Sequence, residues 1–158
     1  MEAPATNPKI QSLIVPLRQY NLLLPQSALV EVLSMPDVKQ LPGVAPWITG
    51  LLGWRERDLP LVSLERYCEL LPGESHLRSR RVAIIQGLLG LKGLESFGVE
   101  IQGIPHPVRL GDSDIRSTLG GSTCDLIDQF VQAAGVKCFM LRHEVLERRV
   151  ETALAALS

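Results

Sequence analysis

The phrase WITGLLGWRERDLPLVSL, residues 47–64, sets two apolar runs on either side of a charged knot, Arg55-Glu56-Arg57-Asp58. Gly50 and Gly53 break the first run, and Leu59-Pro60-Leu61-Val62 opens the second. Two extended segments around a polar turn make a β-hairpin. Pro60 has no N–H to give to a ladder, so the return strand is expected at a sheet edge or beginning at that proline. The near-continuous apolar character of both arms implies cover on both faces. Arg55 follows Trp54 directly, where the strand leaves that cover. A guanidinium there either snorkels to water or meets an acidic partner. Glu31, inside the apolar phrase LVEVL, poses the same choice.

The rest of the chain repeats this short-segment style. Leu13, Val15 and Leu17, then Tyr20, Leu22 and Leu24 after a turn near Arg18-Gln19, read as a first hairpin. In PQSALVEVL, Ser27 is placed to cap a short helical turn carrying Leu29, Val30 and Leu33. Residues 34–46 contain three prolines and a glycine and read as an extended connector. Ser63 is an N-cap candidate for a helix with Leu64, Tyr67, Leu70 and Leu71 on one face, stopped by Pro72-Gly73. VAIIQ, FGVEIQGI and KCFML are strand candidates, with Phe97, Val99 and Ile101 sharing a face. LIDQFVQAAG fits helix or strand. HEVLERRVETALAALS reads as a helix with Leu146, Val150, Leu154 and Leu157 in a stripe and a Glu144–Arg148 pair at i,i+4. Many short strands with two or three helices indicate an all-β or α+β barrel class rather than βαβ units.

Composition removes several function classes. Sixteen basic residues against 17 acidic ones leave a net charge of -1, and 4% aromatic content offers few stacking platforms. Both facts argue against nucleic acid as a partner. The amino-terminal MEAPATNPKIQ has no apolar core of a secretory signal, and no apolar run is long enough to span a bilayer. A cytoplasmic protein without membrane insertion is expected, with residues 1–9 as a flexible tail. Cys68, Cys124 and Cys138 form no C-x-x-C pair and read as buried free thiols.

No catalytic constellation emerges. His76 lies in a polar loop, His106 between two prolines, and His143 at a helix start, with no spacing of a metal site or triad. GLLGLKG lacks the GK[ST] ending of a phosphate loop, and Asp112, Asp114, Asp125 and Asp128 are off the spacing of a calcium loop. No enzyme, metal or cofactor is expected. Trp47 and Trp54 suit either a core or an interface.

The order of these features resembles the CheW-like domain of bacterial chemosensory systems. Val30-Glu31-Val32, Leu41-Pro42, the stretch Gly50 to Glu56 and Pro60 to Leu64 stand where that family has its motifs, and the resemblance covers residues 10–147. It implies a mainly β (α+β) fold: two intertwined five-stranded β-barrels with short helices and a carboxy-terminal helix, in one domain over residues 10–158. It also implies an adaptor that joins chemoreceptor cytoplasmic tips to the regulatory domain of a CheA-type histidine kinase. On that resemblance Arg55 and Glu31, together with Trp54, belong to a partner-binding surface. An arginine beside apolar residues is hot-spot chemistry.

The chain departs from the family pattern in places. Bulky Trp54 stands before the arginine, Glu56 replaces the glycine after it, and Ser63 replaces an aspartate that caps equally well. Gln102 replaces the usual aspartate of the second half, and Arg142 stands near another acidic family position. These departures point to a diverged paralogue, such as the coupling proteins of pilus-associated chemosensory systems. A barrel that holds a small apolar ligand is the rival reading.

Overall fold

The computed structural model describes residues 9–18, 20–70, 80–118 and 124–157. The tail expected over residues 1–9 falls, apart from Lys9, outside the described residues, as do Pro72-Gly73 and His76. In chain order the first strands are β1 (Ile10–Pro16), β2 (Asn21–Pro25), β3 (Leu29–Ser34), β4 (Val38–Lys39), β5 (Ile48–Trp54) and β6 (Arg57–Val62). Helix α1 (Leu64–Tyr67) leads to β7 (Arg81–Gln86), β8 (Ser96–Ile101), β9 (His106–Leu110) and β10 (Ile115–Ser117). The chain ends with β11 (Ile127–Ala133), β12 (Val136–Leu141) and helix α2 (His143–Ala155).

Among the described residues, twelve strands make two six-stranded sheets, ordered β10-β11-β12-β2-β1-β9 and β3-β7-β8-β6-β5-β4. The chain starts in the first sheet, builds the whole second sheet, and returns to finish the first. This is how the two halves intertwine. Six strands per sheet arise because the short β10 and the two-residue β4 add an outer rung to each.

Burial on both faces explains the unbroken apolar runs. Leu13 and Val15 of β1, Leu22 and Leu24 of β2, Ala83 and Ile85 of β7, and Phe97, Val99 and Ile101 of β8 meet in one core between the sheets. The alternate residues turn the other way. Ile14, Leu23, Leu110, Val131, Ala133 and Cys138 fill the inside of the first sheet, and Leu52, Leu59, Leu61, Val82 and Ile84 that of the second. A strand with period-two side chains and two hydrophobic cores has no polar face to show. Helix α2 inserts Leu146 and Val150 into the shared core. Its Glu147 is 0% exposed, and the carboxylate accepts hydrogen bonds from the backbone N–H of Leu88 (2.9 and 3.0 Å) and Leu89 (3.1 Å).

The structure corrects five sequence expectations. Ser27 caps no helix: Gln26–Ala28 is one 3-10 turn, and Leu29, Val30 and Leu33 lie on β3. Pairing of β3 with the apolar β7 outweighs the local capping signal. Pro60 is inside β6, which is flanked by β5 and β8, and the strand starts at Arg57. It is tolerated because the parallel ladder to β8 engages only Leu61 and Val62, beyond the proline. Cys68 and Cys124 are joined in a disulfide, and among the described residues only Cys138 is a buried free thiol. The pairing was invisible because 56 residues separate the two cysteines in sequence while folding brings their Cα atoms within 5.3 Å. Arg148 pairs with Glu151 at 3.9 Å rather than with Glu144. Helix α1 stops at Tyr67, before Pro72-Gly73, because Glu69 takes a positive φ of 54°.

Two other local readings find their structure. Ser63 Oγ caps α1 by accepting from Arg66 N–H at 3.2 Å. The ambiguous LIDQFVQAAG is strand over Ile127–Ala133, zipped between β10 and β12.

Candidate functional site

The hairpin of β5 and β6 closes at Trp54 and Arg57, which pair across it, so Arg55 and Glu56 alone form the turn. Their φ angles are 47° and 63°. A two-residue hairpin loop matching the twist of its strands needs positive φ at both central positions, which is why Asn-Gly is favoured there. Arginine and glutamate in left-handed backbone cost on the order of 1 kcal/mol each. Gly50 has a different reason to be glycine: a Cβ there would collide with the Lys39 carbonyl and the Val38 side chain, where β4 crosses close to β5.

Glu31 arrives from the far side of the sheet. Strands β3 and β5 are separated in the ladder by β7, β8 and β6. Even so, Trp54 Nε1 donates a 2.8 Å hydrogen bond to Glu31 Oε2. The sheet therefore curls until its edge strand β3 faces β5, with Leu33, Met35, Val38 and Trp54 closing over the interior side chains. A register shift between Leu29 and Glu31 marks a bulge on β3, a device that re-aims a side chain at an edge.

The three residues expected at the partner surface thus come together. Arg55 Nη2 lies 3.8 Å from Glu31 Oε1, and the guanidinium carbon stands 4.3 Å from the Trp54 ring centroid. The side chains of Arg55 and Glu31 remain 64% and 38% exposed. Such an exposed ion pair contributes at most about 1 kcal/mol, and a solvated cation–π contact about 0.5–1 kcal/mol. These contacts are too weak to be the reason for two strained turn residues. What they do is fix the direction of an exposed guanidinium above an indole. The group can form a charge-assisted bond to an incoming carboxylate or carbonyl while Trp54 offers apolar area.

Other charged clusters pair within the fold. Glu65, almost fully buried, accepts from Arg18 N–H at 3.0 Å. Burial pushes its carboxyl up, Arg18 opposes that, and Glu100 adds to it. Glu100 in turn receives Arg80 Nη2 at 2.7 Å and the Thr49 hydroxyl. Asp125 accepts from Arg149 Nη2 at 2.7 Å and Nε at 3.1 Å. The Arg149 bonds hold its carboxyl below the usual range. Sequence reading missed both clusters because their members are scattered along the chain. Trp47 belongs to the core, edge-on to Tyr67 at 5.0 Å. Among the described residues, no three His, Cys, Asp or Glu side chains group so as to hold a metal ion, and no helix is long and apolar enough to cross a membrane.

Comparison with known proteins agrees with this architecture. Residues 11–146 match the family model of the CheW-like domain. Protein PilI of Pseudomonas aeruginosa is 40% identical over 81 residues, 48% of this chain and 44% of that protein. The match thus spans less than half the length of that relative. The crystal structure of the scaffolding protein TtCheW from Thermoanaerobacter tengcongensis superposes with a TM-score of 0.69 at 14% identity, covering 90% of each chain. Two interlocked sheets around a common core, with a family match across 11–146, place the chain in the CheW-like domain family of chemosensory adaptors.

Proposed function

We propose that this chain is a non-enzymatic adaptor that couples the cytoplasmic tip of a chemoreceptor to the regulatory domain of a CheA-type histidine kinase. The setting is a cytoplasmic chemosensory array of the pilus-associated kind, a placement supported by the likeness to PilI. Residues 10–158 act as one domain, since the shared core draws on both sheets and on α2. The observation that carries the reading is the Glu31–Trp54–Arg55 group. It spends backbone strain and surface exposure on presenting an arginine that the fold does not need.

The rival reading, a barrel holding a small apolar ligand, loses ground to the packing. Leu52, Leu61, Val82 and Ile84 occupy the interior of the second sheet with almost no exposure, where such a ligand would sit.

The test is a titration of a receptor-tip fragment against wild type and Arg55→Glu, with circular dichroism on the same samples. The variant is expected to fold with stability within about 0.5 kcal/mol of wild type. Its affinity is expected to fall by about 2 kcal/mol, near thirtyfold. Equal affinity would remove Arg55 from the interface, and a lost fold would make it a structural residue.

A further inference from the structure

The Cys68–Cys124 bond joins two places 56 residues apart in sequence. Cys68 follows α1, which hangs from β6 of the second sheet; Cys124 leads into β11 of the first. Their Cα atoms are 5.3 Å apart, inside the span a disulfide bridges without backbone movement. Both cysteines are half-buried rather than sealed in the core. Cys138 is the contrast: it lies fully inside the first sheet, and burial pushes its thiol up to about 11, leaving it inert to exchange.

The neighbours of the two cysteines give the bond a target. Tyr67 precedes Cys68 and Asp125 follows Cys124, and burial first, then Asp125, push the Tyr67 hydroxyl up. Asp125 takes both bonds from Arg149 of α2. Closing the disulfide therefore holds Asp125, next to Cys124, against Arg149, and opening it releases the only covalent restraint on that clamp among the described residues. A disulfide in a cytosolic protein of a mesophile is most often transient and redox-sensing. We infer that Cys68 and Cys124 form a reversible thiol–disulfide site that tightens or loosens the docking of α2 in response to small thiols of the glutathione class. This rests on the cytoplasmic reading above.

The exchange balances without a further reactant. An external thiolate attacks one cysteine sulfur, forming a mixed disulfide and expelling the other cysteine as thiolate. A second external thiolate then attacks the external sulfur of the mixed disulfide, expelling the remaining cysteine thiolate. Two external thiols become one external disulfide, two electrons pass to the protein, and the two protons lost by those thiols return through solvent to Cys68 and Cys124.

The test equilibrates the folded full-length chain across a series of reduced-to-oxidised glutathione ratios. Acid quenching, denaturation and alkylation then count the free thiols, and hydrogen exchange on parallel samples follows α2. The count is expected to pass from one thiol, Cys138, to three as reduction proceeds. Amides of α2 should exchange about tenfold faster in the reduced form while those of β7 and β8 hold. The Cys68→Ser/Cys124→Ser double variant should show the fast α2 rate at every ratio. Resistance of the bond to excess reduced glutathione, or equal α2 exchange in both states, would overturn the switch and leave a passive staple. Global unfolding on reduction would overturn it as well. Receptor-tip binding measured on fully reduced chain tests the adaptor reading separately: binding retained with a failed redox titration sinks the switch alone, and the reverse sinks the adaptor.

Discussion

Glu31 and Glu147 are the same residue in similar apolar phrases, LVEVL and VLERRV, and the fold uses them in opposite ways. Glu147 is sealed beneath α2 with its oxygens on the amides of Leu88 and Leu89. Even Gly87, next to that loop, has no room for a side chain: a Cβ would collide with the Leu94 carbonyl and sit 3.1 Å from Glu147 Oε1. Glu31 stays at the surface, where it holds Trp54 and steers Arg55. The difference lies in what surrounds each carboxylate. One satisfies backbone donors that a packed helix would otherwise bury unpaired; the other leaves acceptor capacity and an exposed cation beside it. The first arrangement holds the molecule together, and the second is left free to meet another one.

Truncation after Arg142 strikes the first region hardest. It removes Leu146 and Val150 from the core and Glu147 from its amides. Two buried aliphatic side chains are worth about 1.5–3 kcal/mol each, so the loss should reach about 5 kcal/mol once the amides are counted. Chemical denaturation measures it, and a truncated chain as stable as the full one would mean that α2 does not anchor the core. Glu147→Gln is the narrower blow. The amide keeps the shape but loses the charge-assisted character of the bonds and places an NH2 group among donors. A loss of about 2–3 kcal/mol is expected, against less than about 1 kcal/mol for Glu31→Gln. Equal losses would erase the contrast.

How much of this was legible in the sequence depends on distance along the chain. The hairpin at 47–62, the Ser63 cap and the α2 stripe follow from patterns within a dozen residues, and they stand in the structure, save that Leu157 lies past the end of α2 and is exposed. The edge strand β9 was overlooked because His106 and Pro107 break its apolar pattern, although β1 pairs with it from Ile10 to Ile14. Glu147 read as one more polar position on an amphipathic helix, since its partners are backbone amides 58 and 59 residues away. The site residues Glu31, Trp54 and Arg55 were named from family resemblance. Their convergence follows from a sheet that curls, which no local spacing encodes.

Glu56→Gly sharpens the second region. Glycine removes the left-handed strain at φ 63° and should stabilise the chain by about 1 kcal/mol. The same change shortens nothing in the Glu31–Trp54–Arg55 group, so receptor-tip affinity should change by less than threefold. A stabilised variant with much weaker binding would show that the Glu56 side chain, or the stiffness it imposes, is part of the interface. Thermal melts and the binding titration on one preparation separate these outcomes.

The smallest effect belongs to His143, at the start of α2, whose Nδ1 is buried without a hydrogen-bond partner among the described residues. Burial lowers its tendency to protonate, while the nearby Glu147 and Glu144 carboxylates pull the other way, so the two influences partly cancel. The net direction is down from the ordinary histidine value of 6.5. A depressed histidine binds its proton more readily in the unfolded chain. Its contribution to stability is therefore complete above the unfolded value and is lost as pH falls through the folded one. Stability of the wild type should decline on acidification below 6.5 by more than that of His143→Phe, which keeps the packing and cannot protonate. Denaturation curves at a series of pH values compare the two slopes. Parallel slopes would mean that the imidazole protonates in place beside Glu147, which would make the foot of α2 more open to water than the sealed carboxylate one turn further on.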